Sequence, residues 1–307
     1  MVDYLWKRLN IENTINISAP LKQKGIDMWK KWNQLTTSQE RLHDTVTIVL
    51  VGKYTNLQDS YASVVKALEH ASLNCRKKLI MKWVEASDLE PEARSANPVK
   101  YHEAWTDLCS AQGILVPGGF GNRGVEGKIA AAKWAREQKV PYLGICLGLQ
   151  IAVIEFARNV CGMPEAHSIE LDENTTTPVV VFMPEISKTH LGGTMRLGSK
   201  DTLFQEGTEN SRLRKLYGGG SAVTERHRHR YEINPEMINK FEAKGLQFVG
   251  KDETGQRMEI VEMADHPYFV GVQYHPEYLT RPLKPSPPFM GLIMAATGDL
   301  ENHLASL

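Results

Sequence analysis

The stretch Pro141-Tyr142-Leu143-Gly144-Ile145-Cys146-Leu147-Gly148-Leu149-Gln150 constrains the fold more than any other part of the chain. Residues 141–145 read as a short buried strand and 150–160 as an apolar-periodic helix. Between them lies Gly144-Ile145-Cys146-Leu147-Gly148, a G-x-C-x-G turn. A strand that turns this sharply into a helix needs glycine on either side of the turning residue. Such a turn lifts one side chain above the sheet edge and sets it beside the unbonded N–H groups of a helix start. A cysteine placed there gains a setting that favours thiolate. The same residues would also suit a structural cysteine packed between glycines, because cysteine is often buried.

The elements around this turn follow a regular grammar. Residues 45–51 form a β-branched run of the kind buried in a parallel sheet, ended by Gly52. Residues 60–72 read as a helix with Tyr61, Val64, Val65, Leu68 and Ala71 on one face. A strand at 78–84, a helix at 98–108, a short strand at 114–116 and a helix at 125–138 come next. Pro98 suits the first turn of its helix. The alternation predicts an α/β fold: a doubly wound, mostly parallel central sheet with helices on both faces. Later the pattern changes. Residues 179–183, 222–225, 230–233, 246–251, 257–263 and 269–274 read as strands joined by turns, a smaller antiparallel part. A final helix spans 289–304, begun by Pro285-Ser286-Pro287-Pro288. Residues 1–44 are polar with no clear period. They read as an interdomain linker or the tail of a missing domain, leaving 45–307 as the domain proper.

Charge narrows the function. Lys plus Arg and Asp plus Glu are both 36, whereas a nucleic-acid binder shows a basic excess or stripe. The longest apolar runs fall far short of the ~20 residues that cross a bilayer. The first eight residues have no apolar signal region. Neither nucleic acid nor membrane is therefore an expected partner. Cys75, Cys109, Cys146 and Cys161 form no C-x-x-C pair and are too sparse for a disulfide scaffold. A reducing, cytoplasmic setting is the expectation.

A cysteine nucleophile needs a histidine, and the histidine an orienting carboxylate. Among ten histidines, His275 is best placed, at the end of the strand over 269–274, where Pro276 stops it. Reactive groups gather at the carboxyl ends of strands in an open parallel sheet. Glu277 can fold back onto that imidazole; a His-Pro turn with a surface glutamate is the plainer alternative. His266 precedes the same strand and belongs at the opposite edge. The order Cys, His, Glu differs from the nucleophile, acid, His order of α/β-hydrolases. Pro117-Gly118-Gly119-Phe120-Gly121 follows a strand, and its bare N–H groups suit an oxyanion. A P-loop is excluded, because Asn122 and Ile129 stand where glycine and Ser/Thr are required. His227-Arg228-His229 could chelate a metal, but no third ligand is evident nearby, so no metal is assigned.

Together, the Pro117–Gly121 loop, Gly144-Ile145-Cys146-Leu147-Gly148-Leu149-Gln150 and His275-Pro276-Glu277 resemble the class I glutamine amidotransferases. Four further segments narrow the likeness to the glutaminase domain of the CTP synthases, over about residues 45–300. They are Arg226-His227-Arg228-His229-Arg230-Tyr231-Glu232, Gly192-Gly193-Thr194-Met195-Arg196-Leu197-Gly198, Val51-Gly52-Lys53-Tyr54 and Pro285-Ser286-Pro287-Pro288. The resemblance implies Cys146 as nucleophile, His275 as base and Glu277 as its partner. It implies an oxyanion hole from the N–H groups of Gly119 and Leu147. It also implies substrate contacts from Gly118, Phe120, Gln150, Glu170 and Arg230. Arg230 would meet the α-carboxylate of glutamine and Glu170 its α-ammonium. Read as a strand, Arg226, Arg228 and Arg230 face one way, His227 and His229 the other.

The resemblance further implies that glutamine hydrolysis needs no cofactor and that GTP activates it allosterically. GTP would act near a lid that includes Gly193 and Arg196. Ammonia would pass to an N-terminal amidoligase domain that binds ATP, Mg and UTP and makes CTP. Nothing in these residues supplies that domain, so the chain is expected to be a piece of an enzyme roughly twice as long. A homo-tetramer, and a filament through the helix around His102, are implied too; an amphipathic surface helix is the plainer reading of residues 100–105. Two other functions stay open. One is a stand-alone cysteine hydrolase of related fold, against which an amino-acid pocket speaks. The other is a non-catalytic filament or interaction module, against which intact Cys146, His275 and Glu277 speak.

Overall fold

The computed structural model describes residues 2–11, 18–39, 42–183 and 195–307. The chain divides into two units, Met1–Leu42 and His43–Leu307. The first unit holds helices at Val2–Arg8 and Ala19–Gln39. The longer helix spans 21 residues. Its apolar residues Leu21, Ile26, Met28, Trp29 and Trp32 are all exposed. Leu21, Met28 and Trp32 recur at helical spacing on one face, a stripe that the sequence reading of residues 1–44 did not pick out.

Among the described residues, the second unit has twelve strands: β1 Thr45–Gly52, β2 Lys78–Glu85, β3 Gly113–Val116, β4 Tyr142–Ile145, β5 Ala166–Ser168, β6 Thr177–Phe182, β7 Arg196–Phe204, β8 Ala222–His229, β9 Tyr231–Ile233, β10 Leu246–Lys251, β11 Met258–Met263 and β12 Phe269–Val272. Nine form one sheet in the order β2-β1-β3-β4-β12-β11-β10-β7-β8, and β5-β6-β9 form a second. From β2 to β12 every neighbour is parallel. From β12 to β8 every neighbour is antiparallel. The α/β expectation, with its antiparallel part, describes this sheet.

The unbroken apolar run of β1 is buried on both faces, as parallel sheets require. Val46, Ile48 and Leu50 pack with Val64, Leu68, Phe289 and Leu292, from helices Ala62–Asn74 and Pro287–Ala296. Val49 and Val51 belong to the opposite core, with Ile129, Ile151 and Phe156 of helices Val125–Gln138 and Leu147–Asn159.

Several elements depart from the sequence reading. The strands expected at 222–225 and 230–233 are β8, running to His229, and β9, with a bend at Arg230 between them. That bend carries the chain from the large sheet into the small one. The closing helix is two helices, Pro287–Ala296 and Leu300–Ala305. Gly298 separates them at φ +76°, the left-handed conformation glycine adopts freely. Strands β5 and β7 and the short helices Pro91–Ala96, Arg212–Leu216 and Ile238–Glu242 are additions.

Three adjacent parallel strands, β3, β4 and β12, finish at one edge of the sheet. From those ends run the glycine loop, Cys146 and His275. The helix after Cys146 sits directly on this edge. A methyl group at Gly144 would lie 2.4 Å from the Gly148 carbonyl oxygen, and one at Gly148 would lie 2.0 Å from that of Val116. Gly148→Ala must push helix from strand, at a cost of about 2–3 kcal/mol. Thermal unfolding should show Tm lower by roughly 5–10 °C; an unchanged Tm would contradict this packing.

Candidate active site

Cys146 turns the chain from β4 into helix Leu147–Asn159 with φ +52° and ψ −102°. A non-glycine residue keeps such a conformation only where its surroundings impose it. Its N–H donates to the Val272 carbonyl at 2.7 Å, and its carbonyl accepts from the N–H groups of Leu149 and Gln150 at 3.1 and 3.3 Å. Cys146 is buried. Gln273 Nε2 donates towards its sulfur at 3.5 Å. Leu147 opens the helix, so its N–H has no carbonyl one turn earlier to bond.

His275 follows β12. Its backbone N–H donates to the Arg226 carbonyl at 2.7 Å, which ties it to β8. Its Nδ1 meets Glu277 Oε1 at 2.8 Å. Burial opposes charge on this ring, but the hydrogen bonds and charges of Cys146 and Glu277 outweigh it and raise the pKa to about 11. The imidazolium is therefore the favoured form beside the cysteine. Gly118 leaves room for the ring: a methyl there would lie 3.0 Å from Cε1.

The loop after β3 is held from below by residues that motif reading missed. Lys53 Nζ donates to the carbonyl oxygens of Phe120, at 2.9 Å, and Gly121. The Tyr61 hydroxyl in turn accepts from the Lys53 N–H at 2.8 Å and donates to its carbonyl at 2.7 Å. Fixing two carbonyls this way fixes the peptide planes of the loop. Lys128 lies beneath Gly119, 1 % exposed. Burial, with the charge of Lys53, lowers its pKa to about 7. In the sequence Lys53 shows only as part of the Val51–Tyr54 segment of the family likeness, at the carboxyl end of β1, with no role attached.

Gly119, Phe120, Cys146, Leu147, Gln150, Glu170, Arg228, His229, Arg230 and Tyr231 line one narrow cavity. Seven of these, from Gly119 to Arg230, were named from sequence; Arg228, His229 and Tyr231 are added by the structure. Glu170 follows β5, and Arg230 is the bend between β8 and β9, so the small sheet brings these two charges to the cavity. Burial raises the Glu170 pKa, opposed by Arg230 and Lys53. Gln150 Nε2 donates to the Tyr231 carbonyl at 3.1 Å and Gln273 Oε1 at 3.3 Å. At rest the cavity has a volume of about 20 Å³, room for about one water.

Other named residues lie elsewhere. His266 is at the opposite end of β12, 2.9 Å from the Ala135 carbonyl oxygen. Burial raises the thiol pKa of Cys75 to about 12, and raises those of Cys109 and Cys161. Along β8, Arg226 and Arg228 are exposed and His227 and His229 buried, as alternation predicts; Arg230 lies beyond the strand end. Gly193 is outside the described residues. Arg196, expected in a lid, opens β7 in register with His229, and its Nη2 is 3.2 Å from Glu259 Oε1. Residues 196–198 are thus paired strand rather than loop. His102 is exposed on helix Pro98–Cys109, whose buried face carries Ala104 and Leu108.

A cysteine in a strained strand-to-helix turn, beside a histidine–carboxylate pair and a glycine loop, is the architecture of cysteine-dependent amide-cleaving enzymes. The Glutamine amidotransferase class-I family matches residues 56–295. The chain is 58% identical over 306 residues to the CTP synthase of Schizosaccharomyces pombe, covering 100% of this chain and 51% of that protein. It is 54% identical over 304 residues to CTP synthase 1 of Homo sapiens, covering 99% of this chain and 50% of that protein. It thus spans about half the length of these relatives. A solved structure, the glutaminase domain of Trypanosoma brucei CTPS with bound acivicin, is 38% identical with a TM-score of 0.74, over 83% of this chain and 94% of that one. The chain belongs to the class-I glutamine amidotransferase family, within it to the glutaminase domains of the CTP synthases.

The raised His275 pKa has a spectroscopic consequence. Ring ¹⁵N shifts should report His275 doubly protonated through about pH 8, well above its ordinary 6.5. His266, lowered by burial to about 4, should be neutral over the same range. Cys146→Ala removes one support of the imidazolium and should bring the His275 midpoint down. A His275 that loses its proton near 6.5 in the unaltered chain contradicts the ion-paired arrangement.

Proposed function

We propose that this domain hydrolyses the side-chain amide of L-glutamine through Cys146 and releases ammonia. The observation that carries this is the convergence of Cys146, Gln150, Glu170 and Arg230 on one cavity. The Cys146 thiolate attacks the amide carbon, and the oxyanion of the tetrahedral intermediate takes the N–H groups of Gly119 and Leu147. Each such donor is worth about 3 kcal/mol in comparable sites. The His275 imidazolium gives its proton to the departing ammonia. The neutral imidazole then takes a proton from the water that cleaves the γ-glutamyl thioester. Glu277 keeps the ring oriented. Arg230 binds the α-carboxylate and Glu170 the α-ammonium, whose charge would hold Glu170 ionised against burial. Gly118 and Phe120 shape the approach. No cofactor is needed, since nucleophile, proton carrier and oxyanion donors all belong to the chain. A pocket for a free amino acid disfavours a peptidase or deglycase.

In the longer protein, this reading makes residues 1–44 the linker or tail of an amidoligase domain and 45–307 the amidotransferase domain. Ammonia would pass to that domain for ATP- and Mg-dependent conversion of UTP to CTP in the cytoplasm. GTP would activate hydrolysis near residues 192–198, with Gly193 in the lid and Arg196 at its strand-anchored end. Homo-tetramers, and filaments through the helix bearing His102, would be the assembled forms. The support for this wider reading is that the relatives are about twice as long.

Ammonia release from glutamine tests the central step. Cys146→Ala should lower turnover by at least about 10³-fold. Arg230→Ala should raise KM about 10–100-fold with a smaller change in kcat, since a charged hydrogen bond of about 1.5–3 kcal/mol is lost. Full turnover by Cys146→Ala would remove the proposal.

A further inference from the structure

Beside the glutamine cavity, β8 turns a second pair of side chains inward. His227 and His229 are 2 % and 4 % exposed, and Glu259 of β11 is 0 % exposed. Strand order alone would keep β8 and β11 apart. However, β7 pairs with β10 only at Phe204–Gly250 and Leu203–Lys251. The rest of the β7–β8 ribbon is free to curl back over the sheet. The Arg226 carbonyl thereby reaches the His275 N–H, and the two histidines reach Glu259.

Three potential ligand atoms converge there. His227 Nδ1 is 3.1 Å from His229 Nε2 and 3.4 Å from Glu259 Oε2, and all three atoms lie within 4.8 Å of one another. Bonds of about 2.0–2.1 Å to a tetrahedral zinc put neighbouring ligands roughly 3.3–3.4 Å apart. The spacing therefore fits a small divalent ion with little rearrangement. The orientation fits as well. His229 Nδ1 lies 3.1 Å from the Tyr231 carbonyl oxygen. Donation there leaves the lone pair on Nε2, the carbonyl–histidine arrangement that orients metal ligands.

The cluster is also incomplete as a hydrogen-bonded set. Both Glu259 oxygens are buried without a hydrogen-bond partner among the described residues, which is unfavourable. Arg196 Nη2, at 3.2 Å, faces Oε1 and leaves Oε2 to the histidines. His229 also lines the glutamine cavity, which supplies a path inward for an ion. Local spacing in the sequence offers His-x-His but no third ligand; the curled ribbon brings one from 30 residues further on, 229 to 259.

We propose that His227, His229 and Glu259 bind one divalent transition-metal ion of the zinc class. Two neutral imidazoles and one carboxylate suit Zn²⁺ or Co²⁺ better than the hard, all-oxygen ions Mg²⁺ and Ca²⁺. The ion fastens the β7–β8 ribbon to β11 and takes no part in the thioester chemistry. Because β8 leads into Arg230, the ion steadies the wall that carries the α-carboxylate contact.

The test uses the chain with Cys146 alkylated, so that its thiolate cannot compete for metal. After stripping with a chelator, Co²⁺ is added and free metal is removed by dialysis. One equivalent retained, with visible absorption of a four-coordinate Co²⁺ centre and a higher Tm than the stripped chain, is expected. X-ray absorption should show a nitrogen and oxygen shell with no sulfur. Glu259→Gln and His229→Gln should each lower retention at least tenfold, with circular dichroism confirming that they fold. No retained metal, a shell containing sulfur, or unchanged retention in folded Glu259→Gln overturns the proposal. The absorption measurement decides the matter on the unsubstituted ligands even if a variant does not fold.

Discussion

The seating of one helix on the ends of β3 and β4 is the contact on which the rest of the site depends. Gly144 and Gly148 have no room for a side chain because backbone oxygens of the helix and of Val116 occupy it. That closeness forces the turn at Cys146 into a positive φ, and the turn lifts the sulfur to the sheet edge. Neighbouring parallel strands then deliver the partners without further design. The glycine loop leaves β3, and His275 leaves β12. Hydrogen bonds from Cys146 to Val272 and from His275 to Arg226 tie these pieces to the sheet.

The charges at this edge are sorted by their surroundings. Cys146 and Glu277 together favour an imidazolium at His275. A few ångströms into the fold, burial lowers the pKa of His227 and His229 and raises that of Glu259 to about 8. One strand, β8, divides the two regions: its arginines face out and its histidines face in. A buried lysine whose pKa falls to about 7, Lys128, lies under the glycine loop after β3. Low dielectric thus works in both directions, strengthening a paired charge and suppressing unpaired ones.

Elements with a local residue pattern were the ones legible in the sequence, whether buried on both faces like β1 or largely exposed like β2. The apolar run of β1, the helix Val125–Gln138 and the Gly-x-Cys-x-Gly turn each carry a local pattern. Strand β7 does not, because most of its residues are partly exposed and little apolar alternation marks it. In the site, residues set by local motifs, such as Cys146, Gly119 and His275, could be named in advance. Glu170 and Arg230 came from family likeness. No role could be given to Lys53, Gln273 or Glu259, because tertiary folding alone brings them to Phe120, Cys146 and His227.

The account rests on a single nucleophile at the strand-to-helix turn, and covalent labelling addresses it most directly. The chain would be incubated with a γ-electrophilic glutamine analogue, and its intact mass and adduct site determined. The account predicts one adduct, on Cys146, suppressed by excess glutamine and absent from Cys146→Ala. An adduct on Cys75, Cys109 or Cys161 instead, or no adduct while the same preparation releases ammonia from glutamine, would contradict it.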